Sequence, residues 1–236
     1  MPISSLFYIS SASQAAPALA AVRHGRNLPM ARRWTVAWGL AGLAFDAILL
    51  FYALRGRNNH WLSYVSGPSQ TVLALIALSH WQPSVSGRQF LRVTAVAFVA
   101  TIVVLVVSVE NTATFSLVRR PVESLLLVVA SLGTLLLLVR QEQGNLFQRD
   151  WFWICVGLAL RYGAAVALDP LARLLIGDSR TVVLSGLKVK AVVDMAAYLL
   201  IARGVWCPVL PQHSSGRSSL EHSPSLSSSP PSARGS

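Results

Sequence analysis

The chain is poor in the residues on which most soluble catalysts and nucleic-acid binders rely. It has two cysteines, Cys155 inside an apolar run and Cys207 just after one. Two are too few for a disulfide framework and their spacing suits no metal, so both are read as packing residues. Charged residues make up only 12% of the 236 positions. No GxSxG elbow, HExxH pair, glycine-rich phosphate loop or Cys/His cluster occurs. Those gaps argue against the familiar hydrolase, kinase and zinc-enzyme designs, and neither an enzymatic role nor a cofactor or metal is expected. The net charge of +11 would suit nucleic acid if it were gathered on one soluble face. Here the arginines stand in short connectors between apolar runs, and no nucleic-acid partner is expected.

What the chain does have is apolar length. Over half of its residues are hydrophobic, 53%, more than one soluble core of this size would bury. They gather into seven segments, at about 4 to 22, 34 to 54, 62 to 80, 92 to 109, 121 to 139, 151 to 176 and 182 to 203. Each is about as long as a helix needs to cross roughly 30 Å of hydrocarbon. The expected fold is therefore an all-α membrane protein, a bundle of seven transmembrane helices, with the lipid bilayer as its first partner. The first segment, rich in serine and alanine and containing Pro17, is the weakest. As a cleaved signal peptide it would leave six spans, although the basic n-region of such a peptide is missing.

Arginine placement orients the bundle. Arg23, Arg26, Arg32, Arg33, Arg88, Arg92, Arg140, Arg149 and Arg203 fall on one side, with Arg217 and Arg234 beyond. Arg55, Arg57, Arg119, Arg120, Arg173 and Arg180 fall on the other. The positive-inside rule puts the richer set in the cytoplasm, the N-terminus outside and the C-terminus inside. Trp34, Trp38, Trp61, Trp81, Trp151, Trp153 and Trp206 lie near segment ends, where interfacial indoles are common. Eighteen arginines against two lysines point to a GC-rich bacterial genome, and so to the inner membrane. Residues 1–207 form the polytopic domain in this reading. Residues 208–236, dominated by serine and proline, are expected to be a disordered cytoplasmic tail.

A faint internal echo is present. Asn27-Leu28 followed by Gly39–Ala41 returns, at one common offset, as Asn145-Leu146 followed by Gly157–Ala159. It would relate segments one to three with five to seven, an arrangement of the kind some transporters use.

The stretches GRNNHWLSYVSGPSQTVLALIAL and RDWFWICVGLALRYG carry a resemblance. They resemble a group of uncharacterised bacterial seven-helix integral membrane proteins, in which an Asn pair and a Trp precede a Tyr-containing third helix. The resemblance implies the seven-helix topology and no reaction. The chain departs from the group near Gln70, where an acid is expected, and in segment seven, where lysines replace amides.

The ionisable residues inside the segments carry the functional signal, because each costs about 2.5–3.5 kcal/mol at a helix centre and is normally turned to protein or water. Asp46, Glu123, Arg161, Asp169, Lys188, Lys190 and Asp194 are the candidates for a ligand or ion-pair pocket. In the orientation above, most lie in the middle or outer half of the membrane. Lys190 with Asp194, and Asp169 with Arg173, are four apart and can pair along one helix face. Arg161, close to Gly157 and Gly163, expects an acid from another helix, Asp46 or Asp194. Lys188 and Arg173 can instead snorkel to the interface. A lysine in segment seven matches the Schiff-base position of retinal proteins, but segment three lacks the acidic counter-ion. An intramembrane hydrolase using Asp46 and Asp194 lacks a motif. The sequence thus supports a non-enzymatic multi-pass protein whose outward-facing polar pocket binds, senses or passes a small solute. The alternative is a structural or assembly subunit, its charges paired within the bundle or with a partner membrane protein.

Overall fold

The computed structural model describes residues 5–57, 59–108, 119–142, 144–174 and 180–208, with the side chains of Arg26, His60 and 170–184 set aside. The expected tail beyond Pro208 lies outside the described residues. Among them every regular element is helical: α1 Ser5–Ser13, α2 Ala16–Val22, α3 Met30–Leu54, α4 His60–Ser79, α5 Val85–Ser108, α6 Arg119–Gln141, α7 Asp150–Leu174 and α8 Arg180–Trp206. Four of these, α3, α5, α6 and the Asp150–Asp169 part of α7, are long and apolar enough to cross a membrane. The serines and Pro68 of α4, and Lys188, Lys190 and Asp194 of α8, make those two helices more polar.

The first apolar segment is two short helices, α1 and α2, parted at Gln14 and Ala15. Pro17 stands in the first turn of α2, where a missing N–H costs nothing. Hydropathy averages over such a break. The end of α3 is set by Gly56, whose φ of +65° suits a residue without Cβ. There the Gly56 N–H donates to the Ala53 carbonyl and the Arg57 N–H to the Tyr52 carbonyl, both at 3.1 Å, which stops the helix and turns the chain.

The helices form a ring in which α3 packs on α4, α4 on α6, α6 on α7, α7 on α8, and α8 on α1 and α2, which return to α3. Helix α5 lies outside it, held on α4 by the stripe Leu91, Ala95, Phe98 and Ile102. Its opposite face exposes Phe90, Val93, Val96, Val103 and Val107. Helix α6 turns Val122, Leu125, Val129, Leu132 and Leu136 outward while burying Arg119, Glu123, Ser124, Ser131 and Thr134. A helix that is apolar outside and polar inside is built for hydrocarbon surroundings.

One end of the ring is clamped by Arg32. Its Nε lies 2.8 Å from Asp150 Oδ2 at the start of α7, and Nη1 donates to the Val205 and Cys207 carbonyls at the end of α8. A cation there meets the negative end of the α8 dipole and satisfies carbonyls that the helix leaves open. Arg32 is only 2% exposed, so it acts as a structural tie between α3, α7 and α8. Asp150→Asn keeps an acceptor and removes the charge. It should cost about 1–2 kcal/mol in a detergent unfolding titration.

Tryptophan positions need two corrections. Trp61 and Trp206 are exposed as interfacial residues would be, but Trp151 is 7% exposed, and Trp38 only 1%. It stands two turns inside α3, which begins at Met30, so its ring faces the bundle interior. The echoed Asn-Leu pairs both sit at short 3₁₀ turns, Gly25–Asn27 and Leu146–Gln148, and each precedes a helix of 25 residues. The echoed glycines do not make matching contacts, since Gly39 faces the α1–α2 break and Gly157 faces α8.

Candidate functional site

A cavity of about 160 Å³ opens among α3, α4, α6, α7 and α8. The wall residues lie between the middle of the helices, at Arg161 and Gln70, and the end where α3 and α7 finish and α4, α6 and α8 begin, opposite the Arg32 clamp. Helix α3 supplies Asp46 and Leu49, and α4 supplies Ser63, Ser66, Gly67 and Gln70. From α6 come Arg119, Arg120, Glu123 and Ser124. Helix α7 adds Arg161, Tyr162, Ala165 and Asp169, and α8 adds Lys190.

Five of the seven residues singled out in the sequence, Asp46, Glu123, Arg161, Asp169 and Lys190, therefore meet at one cavity. Asp194 stands one turn from Lys190, and its Oδ2 is 3.0 Å from Lys190 Nζ. Lys188 is exposed on α8 and does not join them. The proposed Asp169 pairing falls on Arg173, whose side chain is outside the described residues.

Two acids of the wall, Glu123 and Asp46, are engaged. Glu123 Oε2 is 2.9 Å from Arg119 Nη1, one turn back on α6, and Oε1 accepts from Thr71 Oγ1 at 2.9 Å across the α4 interface. Arg119 is 1% exposed and its guanidinium lies 5.1 Å from the Tyr64 ring. The pair fits because α4 presents Gly67 there; a Cβ at that position would stand 2.6 Å from Glu123 Oε2. Pro68 follows, a residue tolerated inside a helix whose neighbours can satisfy the freed carbonyl. Asp46 accepts from Ser11 Oγ at 3.0 Å and from Gln14 Nε2, so the break between α1 and α2 is fastened over α3. Gly39 and Gly42 give that break its room, with Gln14 backbone and side chain lying where Cβ atoms would project.

Arg161 differs from the other bases. It forms no ion pair among the described residues, and its guanidinium lies 4.6 Å from the Tyr198 ring, 5.5 Å from Trp38 and 5.8 Å from Tyr162. Trp38 Nε1 donates to the Tyr162 hydroxyl at 3.2 Å, which fixes two of the three rings. The carboxylates of Asp46 and Asp194, the partners the sequence suggested, act on Arg161 electrostatically rather than as bonded ion pairs. Gly157, one turn below, lets α8 come close, whereas nothing approaches Gly163 within 4 Å.

Arg119, Gln14, Ser11, Thr71 and the aromatic group around Arg161 were not picked out from the sequence as site residues. Arg119 was counted as a connector charge, although its spacing of four to Glu123 carried the signal. Arg32 was counted in the same way. Taking one arginine from each side leaves the charge bias between the two ends as it was. His80, at the foot of α4 away from the cavity, has its imidazole pKa lowered by burial and then by Arg92 and Arg88. Among the described residues, no group of three or more His, Cys, Asp or Glu side chains is placed to hold a metal ion. No family model, curated protein or solved structure matches this chain.

Proposed function

We propose that this is a non-enzymatic multi-pass protein of the bacterial inner membrane. In this reading seven helical spans, the first broken at Gln14, enclose an outward-facing polar pocket that binds, senses or passes a small solute. The supporting observation is the convergence of Asp46, Arg161, Asp169 and Lys190 on one cavity at the end opposite the arginine-rich connectors. Water-accessible charge in the interior of an apolar bundle is the usual mark of a substrate or ion pathway. The N-terminus is then outside and the C-terminus cytoplasmic, and the topology agrees with the bacterial seven-helix group that the chain resembles.

Thiol labelling tests this. Arg57→Cys, in the exposed α3–α4 turn, should react with a small impermeant reagent in intact cells. Gln148→Cys, at the opposite end, should react only after permeabilisation. Ser66→Cys, on the cavity wall, should be labelled from the same side as Arg57→Cys. Absence of labelling at Ser66→Cys, with Arg57→Cys reactive, would remove the pocket.

One observation favours the second reading, a structural or assembly subunit. Arg119–Glu123 and Lys190–Asp194 are each satisfied within a single helix and need no ligand. Under that reading, neutralising Asp46 or Lys190 lowers stability and leaves no separate functional loss.

A further inference from the structure

The cavity's charges are unevenly satisfied, and the unevenness has a sign. Glu123 is met by Arg119 and Thr71 and Asp46 by Ser11 and Gln14, while Asp194 meets Lys190 through Oδ2 alone and its Oδ1 is buried without a hydrogen-bond partner. Arg161, at the floor, has ring faces around it and no ion pair among the described residues. Stacking on an aromatic face occupies the flat of a guanidinium and leaves its in-plane N–H donors to planar acceptors, although the Tyr162 side chain takes a hydrogen bond from Arg161. Beside it, the Tyr198 hydroxyl is buried, with the residue 1% exposed, and has no hydrogen-bond partner. A permanent cation thus faces a cavity in which two of the wall acids, Glu123 and Asp46, already accept other bonds, while Tyr198 stands beside it outside the wall. Asp169, about 12 Å further along α7 by helical rise, is too far away to serve as the cation's counter-charge.

We propose that the cavity takes a small oxyanion, a carboxylate or phosphate group, held by Arg161. The inference rests on the reading of the cavity as water-accessible and adds the chemistry of what enters it. The group belongs either to a free solute or to a lipid headgroup reaching in from the outer leaflet. A cation at Arg161 is disfavoured because it would meet a permanent positive charge, with Glu123 and Asp46 of the wall already engaged.

The test uses the full chain, first in neutral detergent with sodium acetate, sodium phosphate or methylammonium chloride at constant ionic strength, read by thermal unfolding. Acetate or phosphate should raise the unfolding temperature saturably. Arg161→Gln should weaken that response at least tenfold, and Arg161→Lys, which keeps the charge but not the planar fork, should do so less. In lipid nanodiscs, a headgroup source predicts stabilisation by phosphatidylglycerol over phosphatidylcholine that disappears in Arg161→Gln. A free-solute source predicts the acetate or phosphate response in both lipids. Should Arg161→Gln fail to fold, Ala165→Cys in a chain that keeps Arg161 carries the test, because acetate or phosphate should slow its labelling. A response to methylammonium alone, an oxyanion response unchanged in Arg161→Gln, or no response or protection in any arm overturns the inference. If Ser66→Cys is labelled from outside in that case, the solute pocket survives and only its anion chemistry falls.

Discussion

Gly157→Leu should yield no folded protein, and Gly157→Ala should already cost about 3 kcal/mol. At this position α7 and α8 approach backbone to backbone. A Cβ on Gly157 would lie 2.6 Å from Ile201 Cγ1 and 2.8 Å from the Ala197 carbonyl oxygen. The approach is mutual, since a Cβ on Gly204 would lie 2.6 Å from Ile154 Cγ1 and 2.7 Å from the Asp150 oxygen. A side chain can swing away from a new methyl group, but a carbonyl fixed in a helix cannot, so the helices must separate. Close contact through small residues is what holds helices together where lipid removes the hydrophobic drive between them. Separation also moves Tyr198 away from Arg161, which lines the cavity. Gly163→Ala, on the same helix with nothing inside 4 Å, is the control. It should be neutral or stabilising by up to about 1 kcal/mol, the helix-propensity gain over glycine. Size-exclusion monodispersity and a denaturant titration of the three variants in one detergent read the contrast.

The apolar segments were legible because hydropathy measures what a bilayer measures. Their boundaries were less so. The helices α3 and α5 begin at Met30 and Val85, several residues before the apolar windows at 34 and 92, because arginine-bearing turns continue the helix beyond the hydrocarbon. The break at Gln14 escaped for a related reason: serine, alanine and one glutamine change a running average little. What gives Gln14 its role is Asp46, 32 positions away and on another helix. The candidate site was partly legible, since ionisable residues in lipid must turn inward whatever the fold. Which of them share a cavity depends on helix rotation, and for that reason Lys188, two residues from Lys190, ends on the outer face. Arginine was the least readable type. The same side chain in the same kind of connector serves as a solvated charge at Arg57, a carbonyl clamp at Arg32 and half of a buried pair at Arg119.

Arg119 and Glu123 give the second large effect. Glu123→Ala should cost about 3–5 kcal/mol, because it removes the carboxylate that stands 2.9 Å from a guanidinium only 1% exposed. The pair itself is worth far less than its breakage suggests, since its attraction must first offset the desolvation of both groups. The double variant Arg119→Met with Glu123→Leu should accordingly recover to within about 1–2 kcal/mol of the parent. It removes both charges, keeps most of the volume, and leaves only Thr71 without its acceptor. That hydroxyl can turn back to the Gly67 carbonyl four residues earlier on α4, a bond that serine and threonine make readily within helices. Flexible apolar side chains also suit the space over Gly67, where any Cβ would have crowded the ion pair. A double-mutant cycle in one detergent gives the coupling, and labelling of Ser66→Cys in the double variant separates two roles. If stability returns and the thiol stays reactive, the pair is a register device in the cavity wall and the polar floor around Arg161 is enough to keep water in. If stability returns and labelling stops, the pair itself wets the cavity. Its charges would then belong to the solute path as well as to the packing of α4 on α6.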